Sequence, residues 1–187
     1  MRLNKILKNA LLVISAGIIL TACATKKEVA VEAPKKEETK KEETKKKEEE
    51  VTKIEKIAGQ MQGDVYVGTD SVKYLADGVA DRVFFATNES ILTTASRETL
   101  RAQAAWLRAN SNITVVLEGH ADERGSREYN LALGERRANA AKDYLMTYGV
   151  SSDRITVISY GKERPVDSGS NPLAWSKNRR SVTVKAN

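Results

Sequence analysis

The chain has 187 residues, a formal net charge of +6 and a pI near 9.3, so nucleic acid is the first partner to consider. From residue 57 onward, however, 17 basic and 15 acidic residues are intermixed without forming a basic stripe, which argues against nucleic-acid binding. The single cysteine excludes an internal disulfide and a thiolate zinc site.

The first 23 residues have the features of a secretory signal. Three basic residues precede the apolar run ALLVISAGIILTA, which as a helix would span only about 20 Å of the roughly 30 Å bilayer core. The run ends in Leu20-Thr21-Ala22-Cys23, which resembles a bacterial lipobox. The resemblance implies cleavage before Cys23 and acylation of Cys23 as a membrane anchor. We assign residues 1–22 to a lipoprotein signal peptide; the alternative is a free cysteine at the end of an ordinary signal.

Residues 23–56 comprise Cys23 and a segment dominated by lysine and glutamate. Eleven lysines nearly balance ten glutamates between residues 24 and 56, and the segment contains no aromatic residue. It cannot bury enough apolar surface to fold on its own. We predict a flexible tether with a reach of at most about 110 Å.

Residues 57–187 have the length of one domain with its own core. RVFFAT at 82–87 has the composition of a strand, and the segment from Thr94 to about Asn110 has the spacing of a capped amphipathic helix. ITVVLEGH at 113–120 is rich in β-branched and apolar residues, which predicts a largely buried strand.

A second helix is predicted from residue 126 to 148, where apolar and small residues keep to one face and Gly149 ends the helix. Two strands follow at 154–160 and 180–186, joined by a loop rich in Gly, Pro, Ser and Asn. The order β-α-β-α-β-β predicts an α/β (α+β) fold, a mixed sheet with both helices packed on one face. The direction of the last strand stays open at this point.

The most polar cluster, GHADERGSREYN at 119–130, follows the second predicted strand at the edge where such sheets usually bind ligands. One imidazole without a free thiol does not make a zinc site, and His120, Asp122 and Ser126 do not form a nucleophile triad. We therefore expect no metal, no cofactor and no catalytic residue, and we expect His120 to be a hydrogen-bonded structural residue.

Asp122 in this cluster and Arg137 on the following helix have complementary charges. A carboxylate and a guanidinium facing one pocket would match a zwitterionic ligand. An intramolecular salt bridge that joins the loop to the helix fits the spacing equally well. In the pocket hypothesis, replacing either residue should weaken ligand binding and cost folding only about 0 to 1 kcal/mol.

Three segments carry a resemblance to a known family: GHADERGSREYNLALGERRANAAKDYLMTYGV, RITVISYGKERPV and NPLAWSKNRRSVTV. They resemble the peptidoglycan-binding domain of the OmpA C-terminal family over roughly residues 80–187. The resemblance implies that Asp122 and Arg137 grip the zwitterionic end of diaminopimelate in the peptidoglycan stem peptide. It also implies further ligand contacts at Leu133, Phe85, Ala86 and Thr87.

Two adjacent arginines, Arg179 and Arg180, match another segment of the family, where loop support and ligand contact are both open. Trp175, in the preceding loop, is interpreted as a packing anchor.

Together with the lipobox, the resemblance implies a non-catalytic outer-membrane lipoprotein whose domain faces the periplasm and attaches the membrane to the cell wall. The implied partners are peptidoglycan, the outer membrane, and TolB with other proteins of the Tol system, which acts in envelope integrity and cell division. The alternative is a membrane-anchored cell-wall hydrolase, for which the sequence offers no glutamate pair, nucleophile or metal set.

Overall fold

The structure is a computed structural model that describes Glu49, Thr52 and residues 59–186. The predicted signal peptide, Cys23 and nearly all of the predicted tether lie outside the described residues. The strands are β1 (Met61–Gln62), β2 (Val65–Tyr66), β3 (Tyr74–Ala76), β4 (Val79–Ala80), β5 (Arg82–Phe84), β6 (Val115–His120), β7 (Ile155–Gly161) and β8 (Arg180–Lys185). The helices are α1 (Thr94–Ala109), α2 (Arg127–Thr147) and α3 (Pro172–Asn178), with a 3-10 turn at Ser152–Arg154.

The main sheet has four strands in the order β5-β8-β6-β7. β6 and β7 pair in parallel through the α2 crossover, whereas β8 is antiparallel to both β5 and β6. The predicted mixed sheet is therefore confirmed, and the last strand inserts at the centre of the sheet. β1–β2 and β3–β4 form two small antiparallel hairpins.

One core joins both long helices to the same face of the sheet. It contains Leu100 and Leu107 of α1, Leu117 of β6, and Ala138 and Leu145 of α2, each at most 1% exposed. Thr93 caps α1 by accepting a hydrogen bond from the Ser96 amide, and Ser126 caps α2 by accepting one from the Tyr129 amide. The packing of both helices on one face confirms the prediction.

Two glycines allow α2 to lie very close to β6 beside the polar cluster. A Cβ atom at Gly119 would lie 1.8 Å from the Gly134 carbonyl oxygen, so only glycine fits there. After Gly119 the β6–β7 register shifts by one residue, and His120 pairs with Gly161. The close contact and the bulge fix the direction in which the chain leaves β6 toward Asp122.

The structure departs from the sequence-based expectation in two segments. α3 lies within the predicted 161–179 loop, where Asn171 caps it and Pro172 occupies its first turn. The hairpins before β5 were not predicted because their strands have only two or three residues, too few for a periodic pattern. No helix within the described part of the chain has the length and apolar character to cross a membrane.

Candidate functional site

Asp122 lies directly after β6, and its side chain is nearly buried. Arg124 donates to both carboxylate oxygens, at 3.1 Å from Nε and 2.7 Å from Nη2, and its backbone amide donates at 3.1 Å. Arg179 Nη1 donates to Oδ2 at 3.2 Å. Burial alone would raise the pKa of Asp122, but the bonds from Arg124 and Arg179 outweigh it and hold the pKa below its usual value. Asp122 is therefore an ionised carboxylate with two arginine partners.

Arg137, the predicted counterpart of Asp122, is fully buried and bonded to backbone carbonyls. Its Nε donates to Glu89 at 2.8 Å, Nη1 to His120 at 2.9 Å and Nη2 to Ala86 at 3.0 Å. Burial, followed by the charge of Arg179, lowers the pKa of Arg137 to about 10, against the opposing effect of Asp122. Three of its five N–H donors are engaged, and the side chain joins α2 to the end of β6 and to the segment after β5.

The two adjacent arginines, Arg179 and Arg180, make contacts in different parts of the domain. Arg179 caps α3 and is buried at the site, where it donates to Asp122, to the Phe85 carbonyl at 3.1 Å and to the Asp64 carbonyl. Arg180 is the first residue of β8 and bonds to the carbonyls of Asn178 and Arg164 instead. The structure thus brings Arg179 and Asp122 together and places Arg180 outside their contacts.

The segment after β5 contributes mainly its backbone to the site. The Phe85 ring is fully buried, 5.4 Å from the Arg137 guanidinium carbon, and belongs to the core. The Ala86 carbonyl accepts from Arg137, and the Thr87 amide donates to Asp64 at 2.7 Å. Leu133 is buried on α2, one turn before Arg137. Phe85 and Ala86 therefore contact Arg137, whereas Thr87 contacts Asp64 and Leu133 is a buried residue of the same helix as Arg137.

Arg124 and its surroundings are the part of the site that sequence reasoning missed. The Arg124 side chain is 42% exposed, and its guanidinium carbon lies 4.3 Å from the centre of the Trp175 ring. Trp175 Nε1 in turn donates to Glu123 at 2.8 Å. The face of the Trp175 ring and the Asp122 carboxylate thus hold the Arg124 side chain at the surface of the site. The usable signal was the juxtaposition of Asp122 and Arg124 two residues apart in one loop.

His120 is buried, but it is not the hydrogen-bonded residue that was expected. Within residues 59–186, neither of its ring nitrogens has a hydrogen-bond partner. The ring stacks on Tyr160 with 5.6 Å between centroids, and Nε2 lies 3.6 Å from the Glu118 carboxylate. The expectation was wrong because strand alternation places the His120 side chain with Glu118, on the face of β6 opposite Leu117 and the helical core.

The described residues also bear on metal binding. No group of three or more His, Cys, Asp or Glu side chains there is placed to hold a metal ion. The lack of a metal site stays a prediction for the whole chain.

Comparisons with known proteins agree with the fold. A family model described as the OmpA family matches residues 84–179. The peptidoglycan-associated lipoprotein of Mesorhizobium japonicum is 53% identical over 106 residues, which is 57% of this chain and 63% of the relative. That of Pasteurella multocida is 40% identical over 131 residues, 70% of this chain and 83% of the relative. The crystal structure of the peptidoglycan-associated lipoprotein from Burkholderia pseudomallei matches with a TM-score of 0.56 at 33% identity, covering 57% of this chain and 90% of that one.

The extent of these matches differs between relatives. The aligned part spans only 60 to 63% of the length of the first relatives, including those of Mesorhizobium and Agrobacterium. The matched family segment covers β6, β7, the last residue of β5 and the helices α1, α2 and α3, and it ends just before β8. It also contains every candidate ligand contact from Phe85 to Arg137.

Proposed function

The chain belongs to the OmpA family, and on that premise we propose that its folded domain binds peptidoglycan through the zwitterionic end of diaminopimelate in the stem peptide. One observation carries the proposal. A nearly buried, ionised carboxylate, Asp122, has as its outer partner a guanidinium that is partly exposed and can be exchanged for another cation. The relatives' shared name, peptidoglycan-associated lipoprotein, supports the same ligand class.

In this proposal the ligand ammonium takes the position of the Arg124 guanidinium at Asp122. The exchange conserves charge, because one cation leaves the carboxylate as another arrives. Arg179, which is 97% buried at its side chain, stays bonded to Oδ2, the oxygen it shares with Arg124 Nη2, and keeps Asp122 oriented. The Trp175 ring holds Arg124 in the closed arrangement and remains a partner for it when it moves aside.

The ligand carboxylate is assigned to Arg137. Arg137 is fully covered in the closed arrangement, and two of its five donors have no acceptor among the described residues. Movement of Arg124 is the change that would open access to them. Leu133, Phe85, Ala86 and Thr87 would then border the headgroup, mostly through backbone atoms.

The test is co-sedimentation of the protein with insoluble cell-wall sacculi, in which bound and free protein are separated by centrifugation. Free diaminopimelate should compete for binding, while 1,5-diaminopentane, which has the same chain with two ammonium groups and no carboxylate, should compete much less. Retention of the protein on sacculi in the presence of saturating diaminopimelate would contradict the proposed ligand. Release of soluble muropeptides during the same incubation would favour the hydrolase alternative over a non-catalytic binder.

The amino-terminal part completes the proposed role, which is to attach the outer membrane to the cell wall from the periplasmic side. Cys23 carries the lipid anchor, and the Lys/Glu-rich tether lets the domain reach the wall. Cys23→Ala should abolish incorporation of radioactive fatty acid, and persistent label on that variant would contradict the anchor. Fractionation should recover the native protein with the outer membrane.

The proposed partners beyond the wall are TolB and other Tol proteins, in envelope integrity and cell division. This part of the proposal rests on the family resemblance and on the relatives' name. Purified TolB should be retained on the immobilised protein, and competition by sacculus fragments would place its contact at or beside Asp122. No retention at any salt concentration would contradict this partnership.

A further inference from the structure

A second cleft lies on the face of the sheet opposite α1 and α2. Side chains alternate across each strand, so Leu117 of β6 points into the helical core while Glu118 and His120 line this cleft. The cleft has a volume of about 600 Å³, within the usual range of small-molecule sites. Its lining contains none of the candidate ligand contacts of the Asp122 site and meets that site only where the His120 carbonyl accepts from Arg137, so the inference does not depend on the proposed function.

The floor of the cleft contains polar atoms that lack partners. His120 is 1% exposed and Arg180 is 6% exposed. Nδ1 and Nε2 of His120 and Nε of Arg180 have no hydrogen-bond partner in the described part of the chain. A buried polar group without a partner costs about 1 to 3 kcal/mol, so this arrangement favours an additional molecule that supplies acceptors for the N–H groups of Arg180 and the imidazole.

The charged residues around this floor indicate the sign of the charge that such a molecule would have. Five lining residues are cationic and two are anionic. Asp81 is already neutralised by Arg82, which donates to both carboxylate oxygens at 2.8 Å. Glu118 is then the anion left against the remaining cations, Lys73, Arg164, Arg180 and Lys185. The cleft therefore has an excess of positive charge.

The protonation state of His120 is set in part by the same positive charges. Burial, followed by the charges of Arg180, Arg164 and Arg82, lowers the pKa of His120 to about 3. At neutral pH the imidazole is uncharged and offers one N–H donor and one acceptor. Arg164 is an exposed residue whose guanidinium carbon lies 3.8 Å from the centre of the Tyr160 ring, next to His120.

We propose that this cleft binds a small organic oxyanion, a carboxylate or phosphate group joined to a short apolar portion. The oxyanion would accept from Arg180 Nε and from the His120 imidazole, with Arg164 closing over it from the surface. The apolar portion matches the remaining lining, which includes Leu75, Pro165 and Val182. Nothing in the chemistry of the Asp122 site requires this second ligand.

The chain's single histidine makes the proposal directly testable, because its imidazole gives one unambiguous set of NMR signals. The full chain, labelled at histidine and held in nonionic detergent, is titrated with inorganic phosphate and, separately, with hexanoate. Sodium chloride at equal ionic strength is the reference. At least one of the two probes should shift the His120 signals along a saturable curve, and the probe that does so identifies the oxyanion.

The variants are chosen so that folding is retained. Arg164→Gln removes an exposed cation of the cleft and should raise the Kd about fivefold, which corresponds to roughly 1 kcal/mol. Arg108→Gln makes the same change in charge on the exposed face of α1 and should leave the Kd unchanged. Signals that respond to neither probe, or the same Kd change in both variants, would overturn the proposal.

Discussion

Arg179 supplies the buried cation that contacts Asp122: its Nη1 lies 3.2 Å from Asp122 Oδ2, and both side chains are less than a tenth exposed. Arg137, on α2, donates to three backbone carbonyls instead. Two arginines thus divide between them the roles that the sequence suggested for one. Arg179 orients the carboxylate, and Arg137 holds together the three chain segments that surround it.

Asp122→Asn tests the carboxylate. The amide keeps the shape of the side chain but no longer compensates a ligand ammonium, so sacculus binding should weaken roughly 30- to 1000-fold. Stability should also fall, by about 1 to 3 kcal/mol, because Arg179 is left buried without its anion. Glu135→Gln, an exposed change of the same kind on α2, is the control for both measurements. Unchanged sacculus binding by Asp122→Asn would contradict the proposal that Asp122 binds the ligand ammonium.

Arg124→Met tests whether Arg124 competes with the ligand. The substitution keeps an apolar stem against Trp175 and removes the guanidinium that now occupies Asp122. The Kd for free diaminopimelate, measured by calorimetry, should then decrease about three- to tenfold, because no internal cation has to be displaced. A weaker complex would instead identify Arg124 as a direct ligand contact and contradict its role as a competitor.

Much of the fold was predictable because its long elements carry periodic patterns. The predicted limits of α2 lie within one residue of those observed, since Ser126 and Gly149 have the cap chemistry that the sequence displays. The predictions of β6, β7 and β8 agree to within two residues. α3 was missed because seven residues between turn-forming segments offer no more than two helical turns of pattern.

The site was less predictable because charge complementarity does not specify a partner. Asp122 has three arginines close to it in space, and they come from the same loop, from α2 and from the end of α3. Arg179 lies 57 residues away along the chain, and only the pairing of β8 beside β5 and β6 brings it to Asp122. Burial then decides the roles, and burial of a single side chain cannot be computed from spacing.

Arg137→Met tests the reassignment of Arg137. The sequence alone predicted little cost to folding, but the structure predicts a loss of roughly 2 to 5 kcal/mol, because three backbone carbonyls around the fully buried side chain lose a charged donor. Urea unfolding followed by circular dichroism measures this loss. Arg136→Met, the exposed neighbour on α2, should change stability by no more than about 0.5 kcal/mol. Equal stability of the two variants would contradict the structural role of Arg137.

His120 makes the stability of the domain depend on pH. Glu118, 3.6 Å from Nε2, favours the imidazolium, yet burial and three arginines outweigh it and lower the pKa to about 3. The charged groups that face the ring from the neighbouring strands and loop are Glu118, Arg82, Arg164 and Arg180. An unfolded histidine has a pKa near 6.5. Between about pH 6.5 and pH 3, His120 is therefore protonated in the unfolded state but neutral in the folded state.

The sign of the effect follows from this difference in proton binding. The contribution of neutral His120 to the free energy of unfolding is fully present above about pH 6.5. Below that pH it decreases by up to about 1.4 kcal/mol per pH unit, which amounts to roughly 2 kcal/mol by pH 5. The lowered pKa of Asp122 gives a separate loss that begins only near pH 4, so the two effects do not overlap at pH 5. His120→Phe keeps an aromatic ring against Tyr160 and removes the titrating group. Urea unfolding of both proteins at pH 8 and pH 5 should show the loss in the native protein alone, and an equal loss in His120→Phe would exclude His120 as its origin.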